Sequence, residues 1–208
     1  IRGSYPMKKV FIVGGDVLIY RMFNERGWEV INNPHDADLL QFVGGEDVDP
    51  SLYGEERHAT TYSNPKRDSF ESHIFRGADG VACAGICRGG QFLNVMMGGK
   101  LWQDVDNHAI SDTHIVFNEK NPWQYYQVTS THHQMMIPNY EKNPDVWVAF
   151  ESTNRESATE VNEDINFSDV EILVYKNYGV LCYQPHPEFV DYDHECQELY
   201  FNLLEEIL

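Results

Sequence analysis

No apolar run in this sequence approaches the roughly 20 residues that a bilayer-spanning helix needs, so no membrane partner is expected. Basic residues are scarce as well: 15 Lys and Arg stand against 33 Asp and Glu, a formal net charge of −18. A surface so acidic repels phosphate backbones, which argues against direct nucleic-acid binding. Cysteine is limited to Cys83, Cys87, Cys182 and Cys196, with no C-x-x-C pair among them. That usage predicts reduced thiols and a cytoplasmic setting rather than a disulfide framework. Internal repeats, linkers and low-complexity tracts are missing too, and residues 7–208 read as one domain. The six residues ahead of Met7, "IRGSYP", read as an expression scar.

What remains is a chain rich enough in apolar residues to build a full core, 42% hydrophobic and 13% aromatic. Its first half alternates strand and helix signals. "KKVFIVGG" reads as a buried parallel strand, and residues 16–26 as a short helix closed by Gly27. "WEVI" and "ADLLQFVGG" are further strands. In "RDSFESHIFRGA", Asp68 and Glu71 have the spacing of a capping box, which predicts a helix opening there. "GVACAGIC" is the next strand and "RGGQFLNVMMGG" the helix behind it. This β-α-β-α order predicts an α/β fold with a mainly parallel sheet. The second half is β-rich ("THIVFN", "QYYQVTS", "DVWVAFE", "VEILVYK", "GVLCYQ") and predicts an added antiparallel portion. The acidic stretch 154–169 reads as a solvated loop or hairpin. The C-terminal segment carries Cys196, Leu199, Leu203 and Ile207 at helical spacing, with Asp193 near its start.

The chemistry begins at "AGICRGGQ". Gly85, Cys87 and Gly89 form G-x-C-x-G on a strand-to-helix turn, the geometry of a nucleophile elbow. A thiol there is aimed at the amides and positive dipole of a helix N-terminus, which favour the thiolate. In "YQPHPEF", His186 follows an apolar strand and is flanked by two prolines that stiffen it. Glu188 stands two positions on, where a carboxylate can fix the imidazole tautomer. H-x-E also opens a zinc deaminase signature, but that motif needs P-C-x-x-C downstream and only Cys196 follows. His132 and His133 are adjacent and diverge if extended, which is poor ligand geometry. Neither a metal nor another cofactor is expected.

"GICRGGQ", "TSTHHQ" and "QPHPE", in that order, resemble the class I glutamine amidotransferase superfamily. "FVGGEDVDPSLYGEE", "RDSFE" and "GICRGGQFLNVMMGGKLWQDV" look like its γ-glutamyl hydrolase branch. The resemblance implies a flavodoxin-like three-layer α/β sandwich and assigns roles residue by residue. Cys87 matches the nucleophile, His186 the base and Glu188 its orienting carboxylate. Gly45 and Arg88 match the two backbone amides of the oxyanion hole, and Gln91 a residue that holds the glutamyl group. His132, His133 and Gln134 match a segment whose backbone meets the substrate's α-amino and α-carboxylate groups. Asp47, Asp49 and Tyr53 fall at motif positions of a pocket loop, although Asp49-Pro50 and Tyr53-Gly54 are good turn chemistry in any protein. Thr129 stands where asparagine is usual, and Pro185 where tryptophan is common.

Three readings of these residues are open. A stand-alone hydrolase of γ-glutamyl amines or peptides is favoured by the "DVDPSLYGE" block. A glutaminase subunit that passes ammonia to a separate synthetase uses the same triad chemistry. A non-catalytic binding protein of the same fold has no need of an intact triad. The expected small molecule is accordingly a γ-glutamyl amide or glutamine, and a homo-oligomer is compatible with each.

Overall fold

The computed structural model describes residues 7–118, 120–152 and 169–208. The expected scar at 1–6 and nearly all of the acidic loop at 154–169 lie outside the described residues. The chain opens with β1 (Lys9–Val13), α1 (Val17–Glu25), β2 (Glu29–Val30) and β3 (Leu39–Phe42). Helix α2 (Pro65–Arg76), β4 (Ala82–Ile86) and α3 (Arg88–Met96) follow, then the short β5 (Lys100–Trp102). The second half supplies β6 (Asp112–Asn118), β7 (Asn121–Ser130), β8 (Met135–Ile137) and β9 (Trp147–Ser152). It closes with β10 (Val170–Tyr175), β11 (Val180–Tyr183) and α4 (Glu195–Leu204).

Nine strands form one sheet in the order β2-β1-β3-β4-β11-β10-β9-β6-β7. From β2 to β11 the pairings are parallel, and from β11 to β7 they are antiparallel. The parallel half with its antiparallel extension is the architecture the sequence predicts. Alternation along the central strands feeds two cores. Val10, Leu39, Leu181 and Tyr183 pack with Ile19 and Phe23 of α1 and Leu199 and Tyr200 of α4. On the opposite face Val13, Leu40, Phe42 and Cys182 pack with Phe92 and Leu93 of α3. Helices therefore cover both faces, giving the three-layer sandwich. No helix among the described residues is long and apolar enough to cross a membrane.

Two helix starts differ from the sequence reading. Helix α2 begins before the predicted capping box: Asn64 is its N-cap, with Pro65 in the first turn. Asp68 and Glu71 instead point inward from the helix and are buried. Helix α4 is capped by His194, whose ring accepts from the Cys196 amide, rather than by Asp193. The stripe Cys196, Leu199, Leu203 and Ile207 is buried, as its spacing predicts.

Candidate active site

Strands β3, β4 and β11 are neighbours in the parallel half, and their carboxyl ends carry Gly44-Gly45, Cys87 and His186 respectively. Ligands of open α/β sheets bind at such strand ends. Cys87 is the turn itself, with φ 50° and ψ −114°, a left-handed conformation that a cysteine seldom adopts. Its amide donates to the Tyr183 carbonyl at 2.8 Å, which ties the turn to β11.

The turn is tight because its glycines are in contact with backbone. A Cβ on Gly89 would lie 2.5 Å from the Phe42 carbonyl oxygen. Gly89→Ala is therefore expected to push α3 away from β3 and to destabilise the fold by about 1–3 kcal/mol. Thermal unfolding checks this, and an unchanged Tm would show that the helix can shift without loss.

His186 is buried and lies beside the thiol. A Cβ added to Gly44 would sit 3.1 Å from His186 Cε1 and 3.9 Å from Cys87 Cβ, so bare backbone forms the floor between them. His186 Nδ1 donates to Glu188 Oε1 at 2.7 Å. Burial opposes the charged imidazole, but hydrogen bonds and charge from Cys87 and Glu188 outweigh it and raise the His186 pKa to about 10. Thr129 holds this residue's backbone, accepting from the His186 amide at 2.6 Å. Phe189 stacks on the imidazole with centroids 4.3 Å apart and planes 2° from parallel.

The remaining cysteines are of a different kind. Burial pushes Cys83 up to about 12 and Cys196 to about 11, and Cys182 well above its ordinary value. Among the four thiols only Cys87 is partly exposed, and it opens onto a cleft of about 270 Å³.

That cleft brings together most of the residues singled out from the sequence. Gly45, Asp47, Arg88, Gln91, His132, His133 and Gln134 line it beside Cys87. Gly45 has φ 134°, and a Cβ there would meet Arg67 Nη1 at 2.3 Å, so this position accepts only glycine without rearrangement. Arg67 clamps the same turn, donating to the Val43 and Gly44 carbonyls at 2.9 Å each. Gln91 Nε2 donates to Gln184 Oε1 at 3.1 Å and to the Gln134 carbonyl at 3.2 Å. Gln184 in turn directs its amide toward Cys87 Sγ at 3.6 Å.

His133 reaches Asp47, Nε2 to Oδ1 3.0 Å, and this bond raises the His133 pKa against the opposing effect of burial. The His132 side chain turns the other way. Its Nε2 lies 3.3 Å from Glu171 Oε1, within a buried group of His108, His132 and Glu171 that has the makings of a metal site.

Asp49 and Tyr53 are not on the cleft. Asp49 accepts from Ser51 and Ser63 hydroxyls at 2.6 Å each and pairs with Arg57 at 2.7 Å, while Tyr53 is packed in the core beside Val48 and Phe42. These two residues shape the loop from within, as their turn chemistry allows. Conversely, Glu46, Tyr62 and Thr131 line the cleft without having been singled out. Tyr62 lies far from any motif and reaches the cleft by two bonds with Asp47: its carbonyl accepts from the Asp47 amide, and its amide donates to the Asp47 carboxylate.

The arrangement joins a partly exposed thiol on a helix N-terminus, an imidazole with a carboxylate behind it, and a glycine backbone facing both. Such a series can attack an amide carbonyl and protonate the departing nitrogen.

The family model described as Peptidase C26 matches residues 28–146. A protein of Lactococcus lactis subsp. cremoris named as a glutamine amidotransferase-like YvdE homolog is 34% identical over 146 residues, 55% of this chain and 78% of its own length. A protein of Mycobacterium tuberculosis named as a glutamine amidotransferase is 49% identical over 76 residues, 34% of this chain and 25% of its own length. Among solved structures, a Thermoplasma acidophilum protein named as a GMP synthase subunit superposes with a TM-score of 0.66 at 16% identity. That alignment covers 98% of this chain and 95% of the other, and shows a shared fold.

Proposed function

The chain belongs to the Peptidase C26 family of class I glutamine amidotransferase-like proteins, cysteine-dependent enzymes acting on amide bonds, and we propose that it is a glutaminase subunit. In this reading it hydrolyses the side-chain amide of glutamine and delivers ammonia to a separate synthetase. Cys87 Sγ attacks the amide carbon, and the carbonyl electrons move onto oxygen. The amides of Gly45 and Arg88 receive that oxyanion. His186, held as imidazolium by Glu188, gives its proton to the amide nitrogen, and ammonia leaves as the C–N bond breaks. The neutral imidazole then takes a proton from water, whose oxygen attacks the thioester. Glutamate and the Cys87 thiolate are regenerated.

One observation carries the choice of glutamine over a larger γ-glutamyl amine. The loop that favours the hydrolase in the sequence offers only Asp47 to the cleft, since Asp49 is bonded within the loop and Tyr53 is packed in the core. A hydrolase must hold the amine side of its substrate, and these two residues are not available for it. The names borne by the relatives support the same reading. It reverses the order in which the sequence alone ranks the two activities. The hydrolase remains the second reading because the Asp47–Glu55 block resembles that branch.

The test is kcat/KM of the purified protein across glutamine and a set of γ-glutamyl amines. Glutamine is expected to be the preferred substrate, turned over slowly until a synthetase completes the site. A preference for one γ-glutamyl amine over glutamine, with no partner added, would overturn the proposal in favour of the hydrolase.

A further inference from the structure

Glu171 is a fully buried carboxylate near the start of β10, whose other five residues, Val170, Ile172, Leu173, Val174 and Tyr175, are apolar or aromatic and buried. An ionised carboxylate is costly in such a place unless it is matched. Three imidazole nitrogens converge on one of its oxygens. His108 Nδ1 lies 3.2 Å from Glu171 Oε1, and His114 Nε2 and His132 Nε2 lie 3.3 Å from it. All three rings are more than nine-tenths buried.

Against the effect of burial, charge and hydrogen bonding from the three rings hold the Glu171 carboxyl well below its ordinary range, yet the contacts themselves are loose. Neither Glu171 oxygen accepts a well-formed hydrogen bond, and neither ring nitrogen of His114 makes one. Charge-assisted contacts between such groups normally close to roughly 2.7–2.9 Å. His108 Nδ1 and His132 Nε2 stand 3.2 and 3.3 Å from Glu171 Oε1, and the three ligand atoms lie within 4.8 Å of one another, close enough to share an ion.

The outer partners are also those of a metal site. His132 Nδ1 donates to the Gln134 carbonyl at 2.9 Å, which leaves Nε2 as the lone-pair nitrogen facing Glu171. His108 presents Nε2 to Asp169 Oδ2 at 3.3 Å and Nδ1 to the cluster. A carboxylate or carbonyl behind each ligating histidine is the usual device for fixing its tautomer.

We propose that His108, His132 and Glu171 bind one first-row divalent cation, zinc by preference. Imidazole and carboxylate donors in a closed, buried setting suit zinc. The ion would act by position rather than by chemistry. His132 lies in the segment 131–134 that lines the cleft, and the Glu171 carbonyl accepts from the Gln184 amide at 2.9 Å, two residues before His186. One cation would thus fasten the substrate-facing segment to the strands that carry the imidazole. The inference does not depend on which amide the enzyme cleaves.

The test is to strip the purified chain with a chelator, reload it with Zn²⁺, and measure metal content and affinity directly. One zinc per chain is expected, with a higher Tm than the stripped protein. Cys87→Ala should keep that zinc, whereas Glu171→Gln should bind it at least about 100-fold more weakly, more than loss of an outer partner costs. Substitution with Co²⁺ serves if Glu171→Gln fails to fold. A tetrahedral visible spectrum without a thiolate charge-transfer band supports the site. Absence of stoichiometric zinc in the reloaded wild-type chain, full retention by Glu171→Gln, loss in Cys87→Ala, or a thiolate band would each overturn it.

Discussion

Cys87→Ser is expected to lower kcat/KM for glutamine by at least about 10³-fold while the protein remains folded. Removing a nucleophile that works as one unit with its base costs nearly the whole chemical advantage of that unit. A hydroxyl in the same place is a far weaker nucleophile, because its proton must be removed during attack rather than before it. The substitution has a second signature at His186. With Cys87 present the imidazole is held charged up to about 10, against an ordinary value of 6.5. A folded-state pKa raised in this direction stabilises the fold fully below about 6.5 and loses that contribution as pH rises toward about 10. Without the Cys87 sulfur the window should narrow, leaving Glu188 as the remaining support. Imidazole titration by NMR reports this directly. Wild-type turnover by the serine variant would refute the nucleophile, and an unchanged His186 titration would refute the pairing.

Glu71→Ala should be the most damaging substitution for stability. Glu71 is buried on α2 and bonds two guanidinium groups at once, Arg67 at 2.8 Å on one oxygen and Arg88 on the other. Asp68, one turn earlier, pairs with Arg88 as well. Burial pulls the Arg88 pKa down to about 10, with Arg67 adding to the fall and Asp68 opposing it. Deleting Glu71 leaves buried cationic charge short of a partner, a defect that costs about 3–5 kcal/mol. For a chain of this size the loss corresponds to a fall in Tm of about 6–20 °C. Turnover should fall too, since Arg67 clamps the Gly44-Gly45 turn and Arg88 begins the helix behind Cys87. Chemical denaturation gives the free energy, and a loss below about 1 kcal/mol would show that the pair is not needed in the interior.

The strand–turn–helix at residues 82–96 was legible because everything it needs is local: an apolar run, a glycine on each side of Cys87, and an apolar pattern at helical spacing. His186 and Glu188 were legible for the same reason, being two positions apart behind a strand. The capping-box reading of Asp68 and Glu71 failed on a contact no local window contains. Their partner Arg88 lies 20 and 17 residues away, while Asn64-Pro65 supplies the real helix start. The histidine cluster was invisible for a stronger reason. His108, His114, His132 and Glu171 come from four segments, and only the antiparallel register of β6, β7, β9 and β10 brings three of those segments together. Adjacent His132 and His133 do diverge, as expected, but that divergence is what sends one ring to the cluster and the other to Asp47.

The left-handed backbone at Cys87 sets folding and reactivity against each other at a single residue. At φ 50° a glycine would sit without strain, whereas any side chain there costs of order 1 kcal/mol or more. The most comfortable occupant of the elbow is therefore the one that cannot react. Drift toward a more robust fold would erase the thiol, and only a continuing demand for turnover opposes it. A cysteine at so unfavourable an angle is what a demand for turnover would produce.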